Sequence, residues 1–203
     1  MANPNKYNLY NECMNDNWVV VIQILDHDVN HDLDLEATPC ENETTPLLIA
    51  CLRNKANVVK KLLECGAEIE GSDRWNQTAL MYAKNINIAK ILTGEGANIE
   101  ARDNTGWTSL IGACVSDDLK MVKYLLDRGA NIDTVDDRCY TALMYAAVDG
   151  NIIIIKELLD RGADRHLVDE DGETFLDHFR DEKLKNEIEK YIGFDVKPAK
   201  TSS

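Results

Sequence analysis

Apolar residues recur along this chain in two alternating patterns separated by short polar stretches. The first is a hexapeptide, seen as Thr45-Pro46-Leu47-Leu48-Ile49-Ala50, Thr78-Ala79-Leu80-Met81-Tyr82-Ala83, Thr108-Ser109-Leu110-Ile111-Gly112-Ala113 and Thr141-Ala142-Leu143-Met144-Tyr145-Ala146, with a degraded copy begun by Thr174-Phe175-Leu176. Its threonines are spaced by 33, 30, 33 and 33 residues. The second pattern pairs aliphatics ahead of a Gly-Ala step: Val58-Val59, Leu62-Leu63, Gly66-Ala67; Met121-Val122, Leu125-Leu126, Gly129-Ala130; Ile154-Ile155, Leu158-Leu159, Gly162-Ala163. Apolar residues at i, i+1, i+4 and i+5 predict one face of a helix. The threonine ahead of each hexapeptide is placed to cap a first helix, because its hydroxyl can accept from an otherwise unpaired backbone N–H. The glycine after the second helix suits a left-handed C-terminal cap. The polar stretches carry Asp73, Asp103, Asp136 and Asp169 and predict tight hairpin turns. Each unit therefore reads as helix, turn, helix, hairpin.

Two short helices cannot bury an apolar face alone, so neighbouring units must stack into an elongated solenoid. The hexapeptide, the paired aliphatics and the Gly-Ala step together resemble the ankyrin repeat family over residues 7–194. The fold implied is all-α: an ankyrin-type helix-turn-helix repeat solenoid with short β-hairpin connections. The expected organisation is an N-terminal capping repeat and long connection at 1–39 and four central repeats at 40–72, 73–102, 103–135 and 136–168. A C-terminal capping repeat at 169–194 and a disordered tail at 195–203 complete it. Tyr7 to Glu12 stands in for the hexapeptide at the N-terminus, followed by a second helix over Val20 to Leu25, and Leu184, Ile188, Tyr191 and Ile192 form an apolar stripe at the other end.

Two departures from the family pattern carry structural expectations. The histidine the family places third after the threonine is replaced by Leu48, Met81, Ile111, Met144 and Asp177, so apolar packing must substitute for a Thr–His linkage. The 73–102 unit lacks three residues just after Ala83 and has Thr93 in place of the second leucine, which predicts a short first helix or turn and a weak joint in the stack.

Composition narrows the function. A 203-residue chain that is 44% hydrophobic can bury a sizeable core. A formal charge of −14 repels phosphate backbones and anionic lipid, so nucleic acid and membrane surfaces are not expected partners. With no long apolar run and a polar start, the chain is expected to be soluble and cytoplasmic. The cysteines Cys13, Cys40, Cys51, Cys65, Cys114 and Cys139 show no metal-type spacing and read as reduced thiols in small core positions. His27, His31, Asp28, Asp32 and Asp34 lack the order of a calcium loop and read as a solvated connection. Gly94 and Gly96 end a helix and do not cradle phosphate, and His166 and His178 read as partly buried polar contacts. No nucleophile elbow, metalloprotease helix or dinucleotide fingerprint occurs, so no catalytic residue, cofactor or metal is expected.

The resemblance implies a monomeric protein-binding module that grips a partner through a concave groove of hairpin tips and first helices, as adaptor, inhibitor or assembly chaperone. The alternative is a small-ligand- or metal-binding regulatory subunit or enzyme. Asparagine hydroxylation, known in the family, finds Glu100 and Asp133 at the modified positions. The expected partner-binding residues are Arg74, Trp75, Arg102, Trp107, Asp137, Arg138, Tyr140, Asp149, Glu170 and Asp171. Trp75, Trp107 and Tyr140 fall in three successive hairpins, beside arginines, and Trp, Tyr and Arg are enriched at interface hot spots. The acidic run through Asp136, Asp137, Asp169, Glu170, Asp171 and Glu173 implies a partner with a basic as well as an apolar segment. The lysines Lys60, Lys61, Lys123 and Lys156, with Glu157, are expected on the solvated back of the stack.

Overall fold

The computed structural model describes residues 8–27, 33–38 and 42–194. The regular elements of the described residues are helices, and these residues pack as two compact units: the first runs to Ser109 and includes Arg128–Ala130, and the second comprises Leu110–Asp127 and the residues from Asn131. In the first unit, α1 (Asn8–Met14), α3 (Pro46–Leu52) and α5 (Ala79–Tyr82) pack side by side as one layer, and α2 (Trp18–His27), α4 (Ala56–Glu64) and α6 (Ile86–Gly94) form a second layer against it. In the second unit, α10 (Ile152–Asp160) packs on α8 (Leu119–Asp127), α9 (Ala142–Val148) and α11 (Glu182–Phe194), with α7 (Ser109–Val115) contributing from Leu110 onward. Among the described residues the connections contain isolated antiparallel bridges, Ser72 to Thr78 and Val135 to Thr141. The expected tail at 195–203 and the residues His31, Asp28, Asp32 and Cys40 lie outside the described residues.

Both recurring patterns become core. Leu47, Leu48, Ala50, Cys51, Val58, Val59, Leu62, Ile88 and Leu92 are fully buried in the first unit, and Leu143, Met144, Ala146, Ile154, Ile155, Leu158 and Ile188 in the second. Leu48, Ile111 and Met144, at the family's histidine position, are among them or next to fully buried. The cap survives without that histidine. Thr45 Oγ1 accepts from the Leu48 N–H at 3.3 Å, and Thr141 Oγ1 accepts from the Met144 N–H at 3.2 Å, while the Thr141 N–H points at the Met144 sulfur.

Asparagines tie helix pairs together at the opposite ends of the helices. The turns between paired helices pass through left-handed residues, among them Asn54 and Asp117, whose side chains tolerate that conformation. Asn85 caps α6 by accepting from the Ile88 N–H and gives its amide to Asn54. Asn151 repeats the arrangement, capping α10 through the Ile154 N–H and donating to Asp117. Several lysines of the second helices are ion-paired: Lys61 with Asp26 at 2.6 Å, Lys123 with Glu157 at 3.1 Å and Lys156 with Glu187 at 2.8 Å. Exposed pairs of this kind add little stability each.

The three-residue deficit of the 73–102 segment falls in its first helix. α5 has four residues, where α3, α7 and α9 have seven. Its cap is also unmade, because Thr78 is buried and its Oγ1 has no hydrogen-bond partner. Thr93 does not leave a gap; it is buried and its hydroxyl donates to the Ala89 carbonyl at 2.9 Å.

The difference between the caps predicts opposite responses to one substitution. Thr141→Val should cost about 1 kcal/mol in urea unfolding, because a helix N–H loses its acceptor, whereas Thr78→Val should be neutral or stabilising, since it removes an unpaired buried hydroxyl. Equal losses would contradict the assignment.

Burial pushes the pKa values of the Cys13, Cys51 and Cys114 thiols up to about 12, well above the ordinary thiol range. The folded state therefore holds these protons more tightly than the unfolded chain. Their contribution to stability is complete below about pH 9 and is lost as pH rises toward 12. Urea midpoints should fall across that window, and less so when the three cysteines are replaced by alanine; an identical fall in both proteins would sink this reading.

Candidate partner-binding fingers

Four hairpins among the described residues, at 73–77, 103–107, 136–140 and 169–173, are built on an aspartate. In the first unit, Asp73 Oδ1 accepts from the backbone N–H of Trp75 at 3.0 Å and of Gln77 at 2.9 Å, while the Asp73 N–H donates to the Gln77 carbonyl. Asp103 does the same for Thr105 and Trp107. In the second unit, Asp136 holds Arg138 and Tyr140, and Asp169 holds Asp171 and Glu173. The fourth residue of each turn has positive φ, filled by Gly106 and Gly172 and also by Asn76 and Cys139. Glycine adopts that conformation freely, asparagine readily, and cysteine at some cost.

The second carboxylate oxygen faces the segment that follows, a helix after Asp73 and Asp136 and a turn after Asp169. Tyr82 Oη donates to Asp73 Oδ2 at 2.8 Å and Tyr145 Oη to Asp136 Oδ2 at 2.6 Å, and His178 Nε2 stands 3.1 Å from Asp169 Oδ2. All three partners lie nine residues after their aspartate. Nine residues after Asp103 comes Gly112, and there Asp103 Oδ2 takes a long contact from Gln77 Nε2 at 3.4 Å. Desolvation and the Asp73 carboxylate together raise the Tyr82 hydroxyl pKa, which keeps the hydroxyl a donor.

On this scaffold the expected site residues separate into groups. In the first unit Arg74, Trp75 and Arg102 are exposed, and Trp107 is half-buried. The Trp75 ring is 46% exposed, with the Arg74 guanidinium 5.4 Å from its centroid. Its backbone is pinned on both sides. The Arg74 N–H donates to the Asn42 carbonyl, the Asn104 N–H to the Trp75 carbonyl at 2.9 Å, and Asn104 Nδ2 to the Arg74 carbonyl at 3.0 Å. Asn76 Nδ2 reaches the Arg102 carbonyl at 2.6 Å.

In the second unit Tyr140 lies inside a ring cluster. It stands 4.7 Å from His178 and 5.4 Å from Tyr145, with the Arg138 guanidinium 4.9 Å over its face, and Arg138 Nη2 also donates to Tyr145 Oη at 2.8 Å. Tyr140 thus packs against neighbours that hold the Asp136 and Asp169 fingers. Asp137, Glu170 and Asp171 are exposed on finger tips. Asp149 is elsewhere: it closes the C-terminal end of α9, where it lines a cleft with Val115, Asp117 and the exposed Ile153. His166 is exposed, and the side chain of His178 is only 7% exposed.

Two family descriptions match these elements, ankyrin repeats in three copies over residues 9–103 and 72–136, and ankyrin repeats in many copies over residues 125–179. The chain belongs to the ankyrin repeat family. Ankyrin repeat and SOCS box protein 11 of Homo sapiens is 38% identical over 69 residues, 32% of this chain and 21% of that protein, so the chain spans about a fifth of that relative's length. Among solved structures, the ankyrin repeat protein EF0377 superposes with a TM-score of 0.82 at 26% identity, covering 94% of this chain and 98% of that one. The ankyrin repeat domain of Bcl-3, a member of the IkappaB protein family, superposes with a TM-score of 0.78 at 25% identity over 91% of this chain and 84% of that one. No helix among the described residues of this ankyrin protein is long and apolar enough to cross a membrane. Ankyrin repeats serve in general as protein–protein interaction modules and are typically non-enzymatic.

The aspartate–tyrosine bond is the feature that the hexapeptide pattern does not announce, although its nine-residue spacing is a usable signal. Tyr145→Phe should destabilise the protein by about 2 kcal/mol, because a buried carboxylate oxygen loses a charge-assisted bond. A loss below about 0.5 kcal/mol in urea unfolding would show that the bond is replaced.

Proposed function

We propose that this protein binds a partner protein through the ankyrin fingers, with Trp75 as the energetic centre. The observation that supports the reading is a large aromatic ring left half in solvent on a backbone fixed from both sides, with an arginine stacked over it. Burying such a ring against a partner gains apolar area without ordering a loose loop, since the ordering has already occurred on folding. Tyr140 and Trp107 contribute less directly, because their rings are already partly buried. The exposed carboxylates of Asp137, Glu170 and Asp171 meet a basic stretch of the partner and speed its approach at low salt. Arg74 and Arg102 offset Asp73 and Asp103, so the first unit's fingers lack the acidic excess of the second's.

Affinity capture with the whole chain as bait identifies the partner, and the purified pair is then titrated by calorimetry. Trp75→Ala should weaken binding by about 2 kcal/mol or more with helicity retained. Charge reversal at Glu170 and Asp171 should slow association and flatten its salt dependence. Wild-type affinity in Trp75→Ala, together with loss of binding in Lys60→Ala and Lys123→Ala, would place the interface on the helix backs and refute the proposal.

A further inference from the structure

The last finger departs from the others in a way that points to chemistry. At the two earlier positions a tyrosine hydroxyl donates in good geometry to the aspartate, Tyr82 to Asp73 and Tyr145 to Asp136. Here the tyrosine is replaced by His178. Its Nε2 and Asp169 Oδ2 face each other at 3.1 Å, both buried and both out of line for a hydrogen bond, and the Tyr140 hydroxyl is the other side-chain group turned toward the Asp169 carboxylate. The side chains are 7% and 1% exposed, so water does not compensate them. Asp169 Oδ1 is already committed to the N–H groups of Asp171 and Glu173, which leaves Oδ2 aimed at the imidazole.

Glu173 completes the arrangement. It occupies the finger position held elsewhere by Gln77, Trp107 and Tyr140, and its carboxylate lies beside the imidazole, with Oε2 3.9 Å from Nδ1. One ligand-type atom from each of Asp169, Glu173 and His178 lies within 4.8 Å of the others. Tetrahedral zinc with bonds of about 2.0–2.1 Å to nitrogen and oxygen sets neighbouring ligand atoms about 3.3 Å apart. A 3.1 Å separation out of line for a hydrogen bond is close to such an edge. The face of Tyr140 against His178 fixes the imidazole plane, and the backbone N–H of Glu173 fixes the base of the third ligand.

We propose that Asp169, His178 and Glu173 form a binding site for a divalent transition metal of the zinc class. The buried ligands are Asp169 Oδ2 and His178 Nε2, the half-exposed Glu173 carboxylate closes from the solvent side, and water takes the remaining position. The cation offsets the burial of the Asp169 carboxylate and joins the finger at 169–173 to the segment that follows it. Zinc binding therefore raises the stability of the second unit, and this holds whether or not the fingers bind a protein.

The test is zinc titration by calorimetry of the full chain, with cobalt absorption as a spectroscopic readout of tetrahedral coordination. Three proteins are compared: wild type, Glu173→Gln and His178→Tyr. The last restores the tyrosine found at Tyr82 and Tyr145, so the finger keeps its anchor while the ligand is lost. Wild type should take up one zinc with a rise in melting temperature, Glu173→Gln should bind at least ten-fold more weakly, and His178→Tyr should lose both the uptake and the temperature rise. Absence of stoichiometric uptake by wild type overturns the proposal. So does undiminished uptake by His178→Tyr, which would assign the metal to thiols or other histidines, and so does wild-type affinity in Glu173→Gln.

Discussion

A buried carboxylate at the head of three fingers, Asp73, Asp136 and Asp169, is the constraint on which the rest depends. A charge removed from water must be compensated by several donors. Asp73 and Asp136 meet that requirement by splitting their oxygens: one takes two backbone N–H groups of the turn and the other takes a tyrosine hydroxyl from the following helix. The same atoms that satisfy the charge thereby fix the turn and dock it on the helix. A finger held at its root can display side chains at its tip without further ordering, which is the condition for an exposed ring such as Trp75 to act in binding.

Where the pair is incomplete, local behaviour changes. Asp103 has Gly112 at the ninth position and relies on the side chain of the neighbouring finger's Gln77. Asp169 has His178, which offers a lone pair as well as a proton, and with Glu173 nearby the anchor becomes a set of ligand atoms. Backbone hydrogen bonds within the Asp169 finger, given first by the Glu173 N–H, hold that carboxyl below the usual range, which keeps it charged. A single substitution in a repeated lock thus converts a structural contact into one with chemical potential.

Much of the fold was legible in the sequence because it rests on local rules. The period, the apolar spacing and the capping threonines each specify helix ends and faces without knowledge of the neighbours, and the missing histidine correctly pointed to apolar packing at Leu48 and Met144. What was not legible depends on where side chains meet across space. Thr78 is followed by the same five residues as Thr141, yet its hydroxyl is unpaired because the shortened α5 does not bring an N–H to it. Tyr140 and Trp75 look alike as hairpin aromatics. Tyr140 is drawn into a cluster by His178, 38 residues later, while Trp75 has Arg74 over its face and stays 46% exposed. Asp149 follows a hexapeptide, whereas the finger residues precede one, and seven residues of α9 separate it from its finger. Site membership is a property of tertiary position, and composition reports it only loosely.

The central claim, that the aspartate holds the finger, is tested most directly by amide hydrogen exchange in Asp73→Ala. The N–H groups of Trp75 and Gln77 lose their acceptor, and the Asn104 N–H, which reaches the Trp75 carbonyl, loses a fixed partner. All three amides should exchange much faster than in wild type, while those of Val59 and Leu62 in α4 stay protected. Unchanged protection at Trp75 and Gln77 would mean that the turn holds itself, and that the buried carboxylate is a passenger in the fold.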